Sequence, residues 1–144
     1  MVKTVTIAII DGQGGRIGVR LVEEIRKALP EAEILAAGAN TAATERMLAA
    51  GAARGATGEN AVRVVCRSAD IIAGPVGIAI ADSMLGEITP AMALAVAQSR
   101  AARVLIPIGK CETIVVGSGE KTMSELLSEA VARITGLCQG DCGQ

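Results

Sequence analysis

The chain contains no Phe, Tyr, Trp or His. Without an imidazole, Ser-His-Asp and Cys-His catalysis are excluded, and so are most zinc-hydrolase ligand sets. Without an aromatic ring, no nucleobase or flavin can stack on an aromatic side chain. The core must be aliphatic, with alanines letting helices lie close to a sheet. Neither sign of charge dominates: 14 Lys and Arg stand against 15 Asp and Glu, a formal net charge of −1. A nucleic-acid partner, which needs a basic face or stripe and often stacking platforms, is disfavoured. Long apolar runs are also missing. Residues 71–81 stop at Asp82 and residues 88–99 stop at Arg100, short of the roughly 18 residues that span a bilayer. The first apolar run is brief and ends in Asp-Gly, as a strand does and a signal peptide does not. These absences describe a cytoplasmic protein with no membrane or nucleic-acid partner. Its cysteines, Cys66, Cys111, Cys138 and Cys142, would be mostly reduced there.

What is present is a strand–helix alternation. At 144 residues the chain is most simply one domain, with roughly two-thirds of its unfolded surface buried on folding. Residues 4–10 form a buried strand, followed by a glycine-dense turn and a helix whose Ile17, Leu21, Val22, Ile25 and Leu29 share one face. Pro30 ends that helix. Residues 33–37 form a second strand, and a second helix spans about 41–50. Residues 51–58 read as small and flexible. Thr57 would cap a third helix over 59–67. A third strand covers 69–73 and ends at Gly74-Pro75. Residues 76–87 read as an ordered loop or short helix. Thr89-Pro90 is a strong helix start. Residues 103–108 form a fourth strand and 112–116 a fifth. The short link between these two, residues 109–111, is too brief for a parallel crossover, so an antiparallel edge hairpin is expected. Thr122 and Glu125 make a capping box before the cleanest amphipathic helix of the chain. The expected fold is therefore a three-layer, Rossmann-like α/β domain with a mostly parallel sheet of about five strands. It would occupy residues 1–135, with residues 136–144 a flexible Cys/Gly tail.

Candidate site residues collect at the carboxyl ends of the strands, where open parallel sheets bind ligands. The first strand ends in Asp11, Gly12, Gln13, Gly14, Gly15 and Arg16. The second ends in Gly38, Asn40 and Thr41, the third in Gly74 and Pro75, and the fourth runs into Lys110 and Cys111. In the first turn, the Gly14 and Gly15 amides would grip an anion at a helix N-terminus. Arg16 would add charge and Asp11 would orient a hydroxyl. Alternatively Asp11 caps the turn from within. Gly12, Gly14 and Gly18 do not reproduce the dinucleotide spacing, because Ile17 stands where glycine is needed. No acidic residue follows the second strand to hold a ribose. The ligand class is a nucleotide or another small phosphorylated metabolite.

Three other features bear on function. Glu87 is a spare carboxylate, and with Asp11 or Cys111 it could serve an enzyme. Cys111 lies beside Lys110, whose charge would lower a thiol pKa. The helix over residues 91–97 is apolar almost all round, which points to a homodimer formed through it and, as an alternative function, to a homo-oligomeric structural or regulatory subunit without catalysis. Cys138 and Cys142 do not complete a metal site, and no metal is expected.

The segments Asp11-Gly12-Gln13-Gly14-Gly15, Gly74-Pro75-Val76-Gly77-Ile78, Ser83-Met84-Leu85-Gly86-Glu87-Ile88-Thr89-Pro90 and Ile106-Pro107-Ile108-Gly109-Lys110-Cys111 occur here in one order. Together they resemble an uncharacterised bacterial family of short α/β proteins, a domain of unknown function. The resemblance covers about residues 2–117. It implies a small cytoplasmic α/β protein with a glycine-rich first turn, and brings no activity or catalytic residue with it.

Overall fold

A computed structural model of the chain describes residues 3–108 and 112–140. Five parallel strands lie in the order β3-β2-β1-β4-β5: β1 (Thr6–Asp11), β2 (Glu33–Gly38), β3 (Arg54–Thr57), β4 (Ile71–Pro75) and β5 (Ala102–Ile106). Helices α1 (Arg16–Ala28), α2 (Thr41–Ala50), α3 (Glu59–Ser68), α4 (Pro90–Gln98) and α5 (Met123–Cys138) connect and cover them.

Strand side chains alternate between the two faces of a sheet. Ile7, Ile9, Ile34 and Ala36 therefore pack with Leu21 and Ile25 of α1, Met47 of α2 and Leu127 and Ile134 of α5. Ala8, Ile10, Ala37 and Ile72 pack on the other face with Val62 and Cys66 of α3 and Met92, Ala93 and Val96 of α4. Both faces are covered, which is why the inner strands read as continuous apolar runs. The chain winds outward from β1 through β2 to β3, then crosses back to place β4 on the other side of β1. The switch in strand order thus falls between β1 and β4, and both strands deliver their carboxyl ends there.

The α/β class is as expected, but the edge hairpin is not found. β5 pairs parallel with β4, from Ile71 opposite Ala102 to Pro75 opposite Ile106. Helix α4 supplies the crossover that parallel pairing requires. Residues 112–116 form no strand, and Ile114 and Val116 stand 87% and 94% exposed. The fifth strand is instead β3, in the stretch expected to be flexible. It is a four-residue exposed edge, and Gly55 lies so close to Leu48 that a Cβ there would meet its side chain at 3.1 Å. Gly58, not Thr57, precedes α3 as its N-cap. Thr57 belongs to β3, and its hydroxyl lies 2.7 Å from that of Thr44. The last helix continues through Gly136 to Cys138.

Helix α4 is less bare than its composition implies. Met92, Ala93 and Val96 face the core, and Leu94 is the large apolar side chain left outside, at 54% exposure. Among the described residues no helix is long and apolar enough to cross a membrane.

Candidate functional site

Three loops meet at the carboxyl edge beside the switch point. The turn after β1 enters α1 through Gly15, whose φ of +69° is a left-handed conformation that glycine adopts without steric cost. The Gly15 amide closes the turn on the Gly12 carbonyl at 2.9 Å. Beneath it, Asp11 is 4% exposed. One of its carboxylate oxygens accepts the Gly12 amide at 2.8 Å and the other the Gly18 amide at 2.8 Å. Burial raises the Asp11 pKa above the ordinary carboxylate range, against the lowering effect of these amides, and the nearby Glu87 charge raises it further. α1 approaches β1 closely here. A Cβ on Gly18 would stand 3.0 Å from the Asp11 Cβ and 2.6 Å from the Met47 sulfur.

The loop after β4 lies over this turn. It begins with a 3₁₀ turn at Val76–Ala79. It then carries four positive φ angles, at Asp82 (65°), Met84 (58°), Leu85 (57°) and Gly86 (88°). Three of these are not glycine, an arrangement that costs free energy and persists only where the surroundings impose it. Hydrogen bonds within the loop hold it. Ser83 donates to the Gly77 carbonyl, and Asp82 and Ile88 pair through the backbone at 2.8 Å. The result aims Glu87 at the first turn. Its Oε1 accepts the Gln13 amide at 2.5 Å and its Oε2 accepts the Asn40 side-chain amide at 2.8 Å.

Asn40 joins all three loops. Its Oδ1 caps α2 by accepting the Ala43 amide at 2.9 Å, and its Nδ2 donates both to Glu87 and to the Gln13 carbonyl at 2.8 Å. Arg46, on the same helix, donates to the Gly14 carbonyl at 2.7 Å. Nothing in the sequence pointed to Arg46, because it reaches the turn from 32 positions away.

The expected site residues thus divide into two groups. Gly12, Gln13 and Gly15 have amides already engaged within the protein. Gly15 therefore does not offer its N–H to an anion, and Asp11 is the internal cap of the turn with no carboxylate oxygen facing outward. Gly38 and Gly74 are packing positions. A Cβ on Gly38 would meet Thr44 Oγ1 at 2.3 Å, and one on Gly74 would meet the Ile10 carbonyl at 2.2 Å. Pro75 is buried at the end of β4. Gly14, Arg16 and Thr41 remain at the surface of the cluster, together with Glu87 and Arg46. Among the described residues the Gly14 and Arg16 amides have no partner. Lys110 and Cys111, like Cys142, lie outside the described residues. Cys66 is buried, and burial pushes its thiol up to about 11. Burial raises the Cys138 thiol as well, aided by the Asp70 charge. Neither thiol is poised as a nucleophile.

The family described as a domain of unknown function, DUF3842, matches residues 6–139. The chain belongs to that family. No curated protein matches it. Among the solved structures to which the chain is distantly similar are three. One is an FMN-dependent UbiX-like decarboxylase from Escherichia coli O157:H7, described as dodecameric, at 16% identity and TM-score 0.44, covering 93% of this chain and 94% of that one. Another is a nucleoside-diphosphate-sugar epimerase from Pseudomonas aeruginosa, at 15% identity and TM-score 0.46, covering 97% and 50%. The third is a universal stress protein in complex with cAMP, at 20% identity and TM-score 0.40, covering 72% and 98%. Likenesses at this level carry no functional argument for the chain.

Proposed function

We propose that this family member is a small-ligand-binding α/β protein, and that a nucleotide or another phosphorylated metabolite sits at the entrance of α1. The observation that carries this reading is that the Gly14 and Arg16 amides at the start of that helix have no partner among the described residues. Helices α2, α4 and α5 are capped by the side chains of Asn40, Thr89 and Thr122. Helix α3 has Glu59 in its first turn. Helix α1 has no side-chain cap from its own N-cap residue and no acidic residue within its first turn, and Asp11 reaches its third amide, that of Gly18, from beneath. Amides left free at a helix N-terminus attract an anion, and Arg16 and Arg46 stand beside them.

The anion would rest on the Gly14 and Arg16 amides, above the inner half of the turn. Glu87, half-buried at the same edge, takes the role first given to Asp11. Its carboxylate can accept a hydroxyl of the ligand beside the phosphate, as a ribose would present. That division needs no displacement of Glu87. It requires a ligand with an anionic end and a hydroxyl-bearing middle.

Calorimetric titration of AMP and of inorganic phosphate into the wild-type chain and Gly14→Val tests the reading. The nearest atom to a Cβ on Gly14 is the flexible end of Arg46, at 3.2 Å, so the variant should fold. AMP should bind the wild type and lose about tenfold or more in affinity in the variant, with an unchanged melting temperature. Equal affinity in the two proteins, or no binding of either probe, overturns it.

A further inference from the structure

Away from the carboxyl edge, helices α3 and α4 leave a groove of about 600 Å³ between their outer faces. Its floor is apolar, with Cys66, Leu94 and Ala95, and its rim carries Arg63, Arg67 and Arg100. No acidic side chain lines it. Ser99 closes one end by donating to the Cys66 carbonyl at 2.6 Å. Among the described residues none of the three arginines is in an ion pair. Three cations around an apolar strip call for an occupant that is apolar in the middle and acidic at its ends.

The chain itself displays such a segment. Between β5 and α5 it runs Glu112-Thr113-Ile114-Val115-Val116-Gly117-Ser118-Gly119-Glu120. Ile114 and Val116 are 87% and 94% exposed, and Glu112 and Glu120 are exposed at the flanks. The neighbouring cation, Lys121, is held by Glu129 at 2.6 Å, which leaves the segment acidic. Val116 borders a cavity with Leu126 and Ala130 of α5. The segment therefore lies toward the α5 layer, and the groove belongs to the opposite layer.

We infer that the α3–α4 groove of one copy receives the 112–120 segment of another. Glu112 and Glu120 meet the arginine rim, and Ile114 and Val116 cover Leu94 and the Cys66 floor. The contact is heterologous, because the two surfaces differ. Repeated, it builds a ring if the rotation closes and a filament if it does not. This departs from a symmetric dimer through α4, and it is independent of the ligand reading, since neither surface includes the first turn.

Analytical ultracentrifugation of the full chain tests it with two variants at exposed positions. Leu94→Glu places a carboxylate among the groove arginines and blocks the groove. Ile114→Lys sets a cation against them and blocks the segment. The wild type should assemble with rising concentration and dissociate toward monomer in high salt, since the flanking ion pairs are screened. Each variant alone should stay monomeric with a native circular dichroism spectrum. Mixed together, they should form a one-to-one dimer and nothing larger, because each retains the surface the other lacks. A wild type that stays monomeric at all concentrations overturns the inference. So does an Ile114→Lys variant that assembles like the wild type, and so does a mixture that remains monomeric.

Discussion

Glu87 accepts the backbone amide of Gln13 at 2.5 Å across 74 positions of sequence. That bond fastens the loop after β4 to the turn after β1, so the two loops flanking the switch point act as one unit. It also places a carboxylate charge beside the entrance of α1. The charge has opposite consequences for stability and for anion binding, and one substitution separates them.

Glu87→Gln keeps one acceptor for the Gln13 amide but turns an NH₂ toward the Asn40 side chain, which already donates. At this half-buried edge the facing donors cost about 1 kcal/mol, the low end for an unmatched donor. The variant should lose stability by that amount in urea unfolding. It should also bind phosphate-bearing probes more tightly, by about 1 kcal/mol or roughly fivefold, because a nearby like charge is gone. AMP should gain less than inorganic phosphate, since AMP also loses the carboxylate that accepts its hydroxyl. An equal gain for both probes contradicts the role assigned to Glu87.

The Asp11 carboxyl titrates in a direction that can be read from stability. Its folded pKa is raised, chiefly by burial. The folded state therefore holds the proton more tightly than the unfolded chain. Stability contributed by this group is full below the unfolded value and declines as pH rises through the folded one. Asp70 runs the other way. Its pKa is lowered by the Thr6 amide and by Lys3, so its contribution is present above the ordinary carboxylate value and is lost as pH falls. In unfolding free energies followed across the carboxylate range, Asp11→Ala should remove the declining component and leave the acid-side loss. It should also strip the Gly12 and Gly18 amides of their acceptor, at about 1–3 kcal/mol.

The outer frame of this molecule was legible because it rests on local patterns. The spacing of Leu21, Val22 and Ile25 announces α1, and Thr89-Pro90 and Thr122 announce the starts of α4 and α5. β3 was not legible. Arg54-Gly55-Ala56-Thr57 has no large apolar residue, and it becomes a strand through pairing with β2, from Leu35 opposite Arg54 to Gly38 opposite Thr57. The β-branched run at residues 113–116 misled for the converse reason: strand propensity does not make a strand without an edge to join. At the site, the cluster of turns was visible but the direction of each polar group was not. Whether an amide faces a ligand or a carboxylate depends on partners such as Glu87 and Arg46, which only the tertiary fold brings to the turn.

Gly74 separates packing from binding. Its ideal Cβ would lie 2.2 Å from the Ile10 carbonyl oxygen, an overlap that only a shift of β4 away from β1 can relieve. Gly74→Ala should therefore destabilise the fold by about 3 kcal/mol or more, seen as a lower urea midpoint. Gly14→Val should leave that midpoint unchanged. A Gly74→Ala protein of native stability that had lost only ligand affinity would return Gly74 to the binding surface.

Adjacent residues of α4 provide the sharpest contrast. Ala93 is 5% exposed and belongs to the core that also holds Ile72, Val62 and Val96, whereas Leu94 is 54% exposed. A carboxylate at position 93 would be buried without a partner, and burying an unpaired charge costs several kcal/mol even after its pKa adjusts. Ala93→Asp should unfold the chain or yield a species whose stability recovers as the carboxylate is protonated at low pH. Leu94→Asp removes an exposed apolar surface and should stay within about 0.5 kcal/mol of the wild type. Urea unfolding of both variants at low protein concentration, where assembly is negligible, decides the matter. If Ala93→Asp proves native and monomeric while Leu94→Asp unfolds, α4 is rotated about its axis relative to the arrangement described here, and its outward face is the one that bears Ala93.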